Sequence, residues 1–265
     1  MAMIHAMISS AFEFIRGSLA LLFTLVAGFG VMVLQLVTLG LMRRPIASWF
    51  LNWYGGIALW IMGTRVHVEG RQHLTAYCPC ILTFNHASTM EVALIPALMP
   101  PNSTVLAKQE FLHYPIIGQA SWALGFVGVK RQKKEEAHKA IEKAARSVTE
   151  RGISIVIAPE GTRSKDGNLQ SFKMGAMHLA LATGVPIVSI VAHGAHNIWP
   201  RHSWSPTPGD VWIRVLEPVE THDFTRENLR EKGAELEERY REALSDLGEL
   251  HPAGVPIVRT DETGE

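Results

Sequence analysis

The sequence has little cysteine, no excess charge of either sign and, over one long stretch, no charge at all. Only 2 of the 265 residues are cysteines, Cys78 and Cys80, with one proline between them. They stand too close for an easy disulfide and have no second pair with which to build a zinc site. They read as reduced thiols and point to a cytosolic compartment. Lysine plus arginine number 25, as do aspartate plus glutamate, so the formal charge is zero. That argues against a nucleic-acid partner, which needs a net basic face. No Gly-x-Ser-x-Gly run occurs, so the nucleophile elbow of a serine hydrolase is missing.

Charge is absent between Arg16 and Arg43, where Leu19, Leu22, Phe23, Val26, Phe29, Val33 and Leu36 belong to a run long enough to cross a bilayer core as a helix. The run is too long for a signal-peptide core, and no small-residue cleavage pattern follows before Arg43-Arg44. A second uncharged stretch reaches Thr64. Ile46, Trp49, Trp53, Ile57 and Trp60 recur along it at helical spacing, with Gly55-Gly56 as an interruption. Tryptophan favours the membrane–water interface. The expectation is an anchor followed by an interfacial helix, or a helical hairpin entering one leaflet. A hairpin of two full spans would place Arg43-Arg44 on the far side, against the positive-inside tendency.

Composition changes at Arg65, which sets the expected division: membrane-anchoring helices over 1–64, a catalytic domain over 65–250 and a mobile tail over 251–265. Strand patterns follow at Arg65–Glu69, Cys80–Phe84, Ser103–Lys108, Gly125–Val129, Ile153–Ala158, Pro186–Val191 and Val211–Val215. Helical patterns occupy Val92–Met99, Lys133–Glu150, Phe172–Thr183 and Glu227–Leu247. The alternation predicts an α/β fold: a mostly parallel, mixed central sheet with helices on both faces. Ligands of such sheets bind where strands end. Lys108 and Lys130-Arg131 end two of the strands. The turn Glu160-Gly161-Thr162-Arg163-Ser164 leaves a third, with a guanidinium suited to bidentate phosphate recognition. His193 and His196 lack a third partner at metal-ligand spacing.

The central strand leads into Asn85-His86-Ala87-Ser88-Thr89-Met90-Glu91. Ser88 followed by Glu91 forms a capping box, which starts the next helix at Ser88. In one continuous helix, His86 and Glu91 would point roughly 140° apart. A bend before Ser88 lets the carboxylate reach the imidazole, the arrangement of a general base. The same residues also fit a plain helix start, in which Glu91 only caps and His86 is an ordinary loop histidine.

Taken in order, Asn85-His86-x-x-x-x-Glu91, Lys108-x-Glu110-Phe111 with Pro115 and Gly118, Gly128-Val129-Lys130-Arg131, Glu160-Gly161-Thr162-Arg163-Ser164 and Val185-Pro186-Ile187-Val188 resemble the glycerolipid acyltransferase family. Within it they resemble the 1-acyl-glycerol-3-phosphate acyltransferases of the PlsC type, from about Val66 to about Pro218. Two departures stand out: Glu91 where the family usually has aspartate, and Ser189 where it commonly has a second proline.

The resemblance implies that His86 deprotonates a lysophospholipid hydroxyl and that Glu91 orients it. Arg131 and Arg163, helped by Lys108, Glu160, Gly161 and Thr162, would hold the glycerol phosphate, with Asn85 and Ser88 also at the substrate. It implies no bound cofactor or metal, acyl-CoA or acyl carrier protein as donor, and membrane association at the cytoplasmic face of a bacterial inner membrane. The acceptor it implies is lysophosphatidic acid; the alternative is another lysolipid, such as a lyso-ornithine lipid or a lysophospholipid with a larger head group. A non-catalytic adaptor on the same fold is disfavoured by the intact His86.

Overall fold

The computed structural model describes residues 2–130 and 134–252. In chain order its elements are α1 (Ala2–Val37), α2 (Arg43–Ile61), β1 (Thr64–Glu69), α3 (His73–Ala76), β2 (Ile81–Phe84), α4 (Glu91–Leu98) and β3 (Ser103–Lys108), followed by a 3-10 turn at Gln109–His113. Then come α5 (Ile117–Ala123), β4 (Val127–Val129), α6 (Lys134–Arg151), β5 (Ser154–Ile157), α7 (Gly175–Thr183), β6 (Ile187–His193), α8 (Ala195–Ile198), β7 (Gly209–Val215) and α9 (Leu229–Leu250). Arg131 lies outside the described residues, as does the expected tail from residue 253 onward.

Among the described residues the strands form one sheet in the order β1-β7-β6-β2-β5-β3-β4. β6 and β7 pair antiparallel, and every other neighbouring pair is parallel. This is the mostly parallel, mixed α/β sheet that the alternation of patterns predicts. β2 lies at its centre and is buried along its whole length, as a parallel strand covered on both faces must be.

The period of two along each strand sorts side chains into two cores. Leu82, Phe84, Val156, Val188 and Ile190 face a core shared with α1, α2 and α4. Ile81, Ile155, Ile187 and Val191 face one shared with α6, α7 and α9. Thr83 also points to the second side, where the fully buried Tyr240 donates to its hydroxyl at 2.9 Å. Thr83 lies 3.1 Å from the Ser189 hydroxyl. Ser189 thus extends a buried polar chain beneath the sheet. Burial pushes the Tyr240 phenol above its ordinary pKa.

α1 and α2 pair as an antiparallel hairpin. Gln35 donates to the Arg43 carbonyl at 3.3 Å, the Thr24 and Tyr54 hydroxyls meet at 3.1 Å, and Phe23 stacks on Tyr54 with ring centroids 5.7 Å apart. At the tip, Arg43 donates to the carbonyls of Ala123 and Trp122 and lies over the Trp122 ring, while Arg44 reaches the Asn102 side chain. The tip of the hairpin is therefore tied to α5 and to the turn before β3. The compositional division at residue 64 does not cut the packing, because Phe50, Leu51, Tyr54, Ala58, Leu59 and Met62 of α2 lie in the same core as Leu82, Ala93 and Leu94.

Two details of α2 differ from the sequence expectation. Trp49, Trp53 and Trp60 do face outward, but Ile46 does not share their face and is buried. Gly55-Gly56 does not interrupt the helix. Gly55 is where α2 touches α4: a Cβ there would sit 2.4 Å from the Ala97 nitrogen and 2.6 Å from the Ala93 carbonyl oxygen. Gly56 faces open space. On α1, Ala11–Val37 is long and apolar enough to cross a membrane, and 28% of an 18-residue apolar window within it is buried in the protein.

Replacing Gly55 with valine forces the two helix backbones apart. The expected cost is about 1–3 kcal/mol, the usual range for overpacking. It is to be read as a lowered denaturation midpoint in detergent, with Gly56→Val as the silent control.

Candidate active site

The C-terminal ends of β2, β5 and β6 lie side by side because these strands are parallel neighbours. The chain leaves β2 into the loop carrying His86, β5 into the turn carrying Glu160, and β6 toward α8. His86 is the meeting point. Its imidazole Nδ1 contacts Glu91 Oε2, and its backbone N–H donates to Glu160 Oε1 at 2.6 Å. Its carbonyl accepts from the Ser164 N–H at 2.7 Å. The imidazole keeps partial access to solvent, with 23% of its side chain exposed.

Glu91 is 5% exposed, and all its acceptor capacity faces the loop. Oε1 takes the N–H groups of Ala87 and Ser88, both at 2.7 Å, and Oε2 faces the imidazole. This reach-back to Ser88 is half of the expected capping box. The other half differs: the Ser88 hydroxyl accepts from Met90 N–H at 3.1 Å, and α4 begins at Glu91 rather than at Ser88. The reason lies in the turn at Thr89-Met90, which brings Glu91 back over the loop before the helix starts.

Glu160 is 2% exposed. Besides the His86 N–H, it accepts from the backbone and side-chain nitrogens of Gln170 at 3.0 and 3.3 Å. Burial pushes its carboxyl up from the ordinary value, the two backbone N–H groups and the His86 ring pull it down, and the Glu91 charge pushes it up again.

The remaining predicted residues divide. Arg163 reaches the His86 loop, donating to the Thr89 hydroxyl at 2.7 Å. Asn85 and Ser88 are buried and occupied by protein: the Asn85 amide exchanges two hydrogen bonds with Ala192, at 2.8 and 2.9 Å, and the Ser88 hydroxyl donates to the Trp199 carbonyl at 2.8 Å. Gly161 allows Lys173 to lie across the turn, since a Cβ there would be 2.9 Å from its Cδ and 3.1 Å from its Nζ. Thr162 is exposed, and its carbonyl accepts from Gln170 at 3.0 Å. Lys108 ends β3, separated from β2 by β5, and pairs with Glu110 at 3.5 Å.

Gln170, Lys173 and Trp199 are the contributors that the motifs did not reveal. Lys173 belongs to a segment expected as helix. Phe172 and Lys173 instead precede α7, their N–H groups taken by Glu237 and by the Pro159 carbonyl at 2.8 Å each. Among the described residues no cluster of three or more His, Cys, Asp or Glu is arranged to hold a metal.

The arrangement is an imidazole held by a carboxylate, with cations at the neighbouring strand ends. A family model described as Acyltransferase matches residues 65–193. A 1-acyl-sn-glycerol-3-phosphate acyltransferase of Limnanthes douglasii is 30% identical over 201 residues, covering 76% of this chain and 71% of the relative. The chain belongs to this acyltransferase family. A bacterial member, from Haemophilus influenzae, is 26% identical over 77% of this chain and 82% of its own length. The crystal structure of PlsC, the 1-acyl-sn-glycerophosphate acyltransferase of Thermotoga maritima, superimposes with a TM-score of 0.64 at 28% identity, covering 87% of this chain and 98% of that one. The chain is thus an enzyme, an acyltransferase of phospholipid biosynthesis.

In this acyltransferase Asn85 ties the end of β2 to the end of β6. Asn85→Ala leaves the Ala192 N–H and carbonyl buried without partners. It is expected to cost about 1–3 kcal/mol in denaturant unfolding and to reduce acyl transfer through the loss of this tie.

Proposed function

We propose that the enzyme moves an acyl chain from a thioester to the free sn-2 hydroxyl of 1-acyl-glycerol-3-phosphate (lysophosphatidic acid), giving phosphatidic acid. The observation that carries this reading is the Arg163 guanidinium on Thr89, in the same loop as His86 and its Glu91 partner. The names of the relatives support the same acceptor.

His86 acts as general base. Glu91 holds Nδ1, which leaves Nε2 for the acceptor hydroxyl, and the carboxylate stabilises the imidazolium formed as the proton arrives. The hydroxyl oxygen attacks the thioester carbonyl, a tetrahedral intermediate forms, and the thiol leaves with a proton. No acyl-enzyme is needed. Arg163, Lys173 and Arg131 supply the cations for the phosphate, with Lys108 further along the sheet. The donor is acyl-CoA or acyl carrier protein. The exposed apolar face of α1 and the outward tryptophans of α2 set the site at the bilayer surface, where acceptor and product reside. The expected face is the cytoplasmic side of a bacterial inner membrane.

The test uses purified full-length protein in detergent with labelled acyl-CoA and a panel of lysolipids, repeated with acyl carrier protein. Conversion of lysophosphatidic acid to phosphatidic acid is expected, and Arg163→Ala should raise its KM by about 10- to 100-fold, the loss of a charged hydrogen bond. Preference for a lysolipid without a terminal phosphate, with Arg163→Ala unaffected, would assign the enzyme to the alternative acceptor class.

A further inference from the structure

The two carboxylates hold the loop through the His86 ring and the N–H groups of His86, Ala87 and Ser88, but neither meets the side that carries the Ala87 carbonyl and the Ser88 hydroxyl. That side rests on the segment that follows β6. Thr89 N–H and the Ser88 hydroxyl both donate to the Trp199 carbonyl, at 3.0 and 2.8 Å. His196, on α8, places its Nδ1 3.0 Å from the Ala87 carbonyl oxygen. A carbonyl can only accept, so Nδ1 carries the proton. The Ala87 residue is then fixed from both sides, its N–H on Glu91 and its carbonyl on His196.

The same ring braces a second loop. Gly167 adopts φ +86°, and a Cβ on it would meet His196 Cγ at 2.7 Å and Cδ2 at 2.9 Å. The turn containing Gly167 is closed by Ser164, which gives its hydroxyl to Asp166 at 2.9 Å and accepts from the Gly167 N–H at 3.0 Å. Its backbone N–H goes to the His86 carbonyl. His196 is thus wedged between the loop that carries His86 and the turn that follows Arg163.

We propose that His196 is a positioning residue for acyl transfer: its Nδ1–H holds the Ala87 carbonyl, and its ring against Gly167 fixes the distance between the base and the Arg163 turn. It takes no proton from the substrate. This inference rests on the reading of His86 as general base. A displacement of about 1 Å in such a loop is enough to cost about 100-fold in rate.

The experiment compares His196→Phe, which keeps the ring and removes the donor, with His196→Asn, whose amide nitrogen takes the place of Nδ1. Both are made in the full chain, together with His86→Ala, and assayed in detergent with labelled acyl-CoA and lysophosphatidic acid. For His196→Phe, kcat is expected to fall about 10- to 100-fold while KM for the acceptor stays within about twofold. For His196→Asn, kcat should return to within about threefold of the parent. Thermal midpoints separate misfolding from misplacement, and His196→Asn carries the test if His196→Phe does not fold. Wild-type kcat in His196→Phe, or an Asn variant as slow as the Phe variant or slow on its own, would overturn the proposal. If His86→Ala is inactive in those same assays, only the role of His196 fails; if His86→Ala is fully active, the general-base reading fails with it.

Discussion

Everything at this site depends on holding two carboxylates out of water beside one imidazole. Burying an ionised carboxylate costs on the order of several kcal/mol unless its oxygens are met by donors. Glu91 and Glu160 are both met. Glu91 takes two loop N–H groups and the His86 ring; Glu160 takes the His86 N–H and two nitrogens of Gln170. The three contacts of Glu91 and the bond from the His86 N–H to Glu160 also fix atoms of the His86 loop. The same interactions therefore satisfy the carboxylates and aim the imidazole.

The sheet delivers these groups to one place. β2, β5 and β6 are adjacent and parallel, so the segments leaving them emerge on one edge. The buried chain Tyr240–Thr83–Ser189 ties α9 to β2 and β6 just before those segments begin. On the opposite face, α2 approaches α4 through Gly55, and α4 is the helix that starts with Glu91. The hairpin that carries the exposed apolar surface is thus in direct contact with the helix that positions the carboxylate. The apolar hairpin and the geometry of the site share one core.

Much of this was legible in the sequence because its signals are local. The continuous apolar runs of β2, β5 and β6 mark buried strands, and the spacing from His86 to Glu91 fits a loop that bends before its helix. The long-range partners were not legible. Asn85 pairs with Ala192 and His196 with Ala87 across more than a hundred residues, and nothing near either position announces the other. Nor did the sequence show that Asn85 and Ser88, expected at the substrate, hydrogen-bond to Ala192, Trp199 and Met90. Gly55-Gly56 misled for a related reason. Glycine in a helix lowers local propensity, yet here the close approach of α4 requires it. Lys173 escaped notice because Phe172-Lys173 continues the apolar pattern of α7, while their N–H groups are taken by Glu237 and Pro159.

The most direct measurement is the kcat of Glu91→Gln beside that of the parent, with thermal midpoints for both. Glutamine keeps one oxygen for the Ala87 and Ser88 N–H groups, so the loop and the fold should persist. Its NH2 group then faces Nδ1, which selects the wrong tautomer and removes the charge that stabilises the imidazolium. The account predicts a kcat lower by about 10³- to 10⁴-fold, as for the equivalent change in a Ser-His-Asp triad, with a midpoint close to that of the parent. A folded Glu91→Gln enzyme with kcat within about threefold of the parent would contradict it.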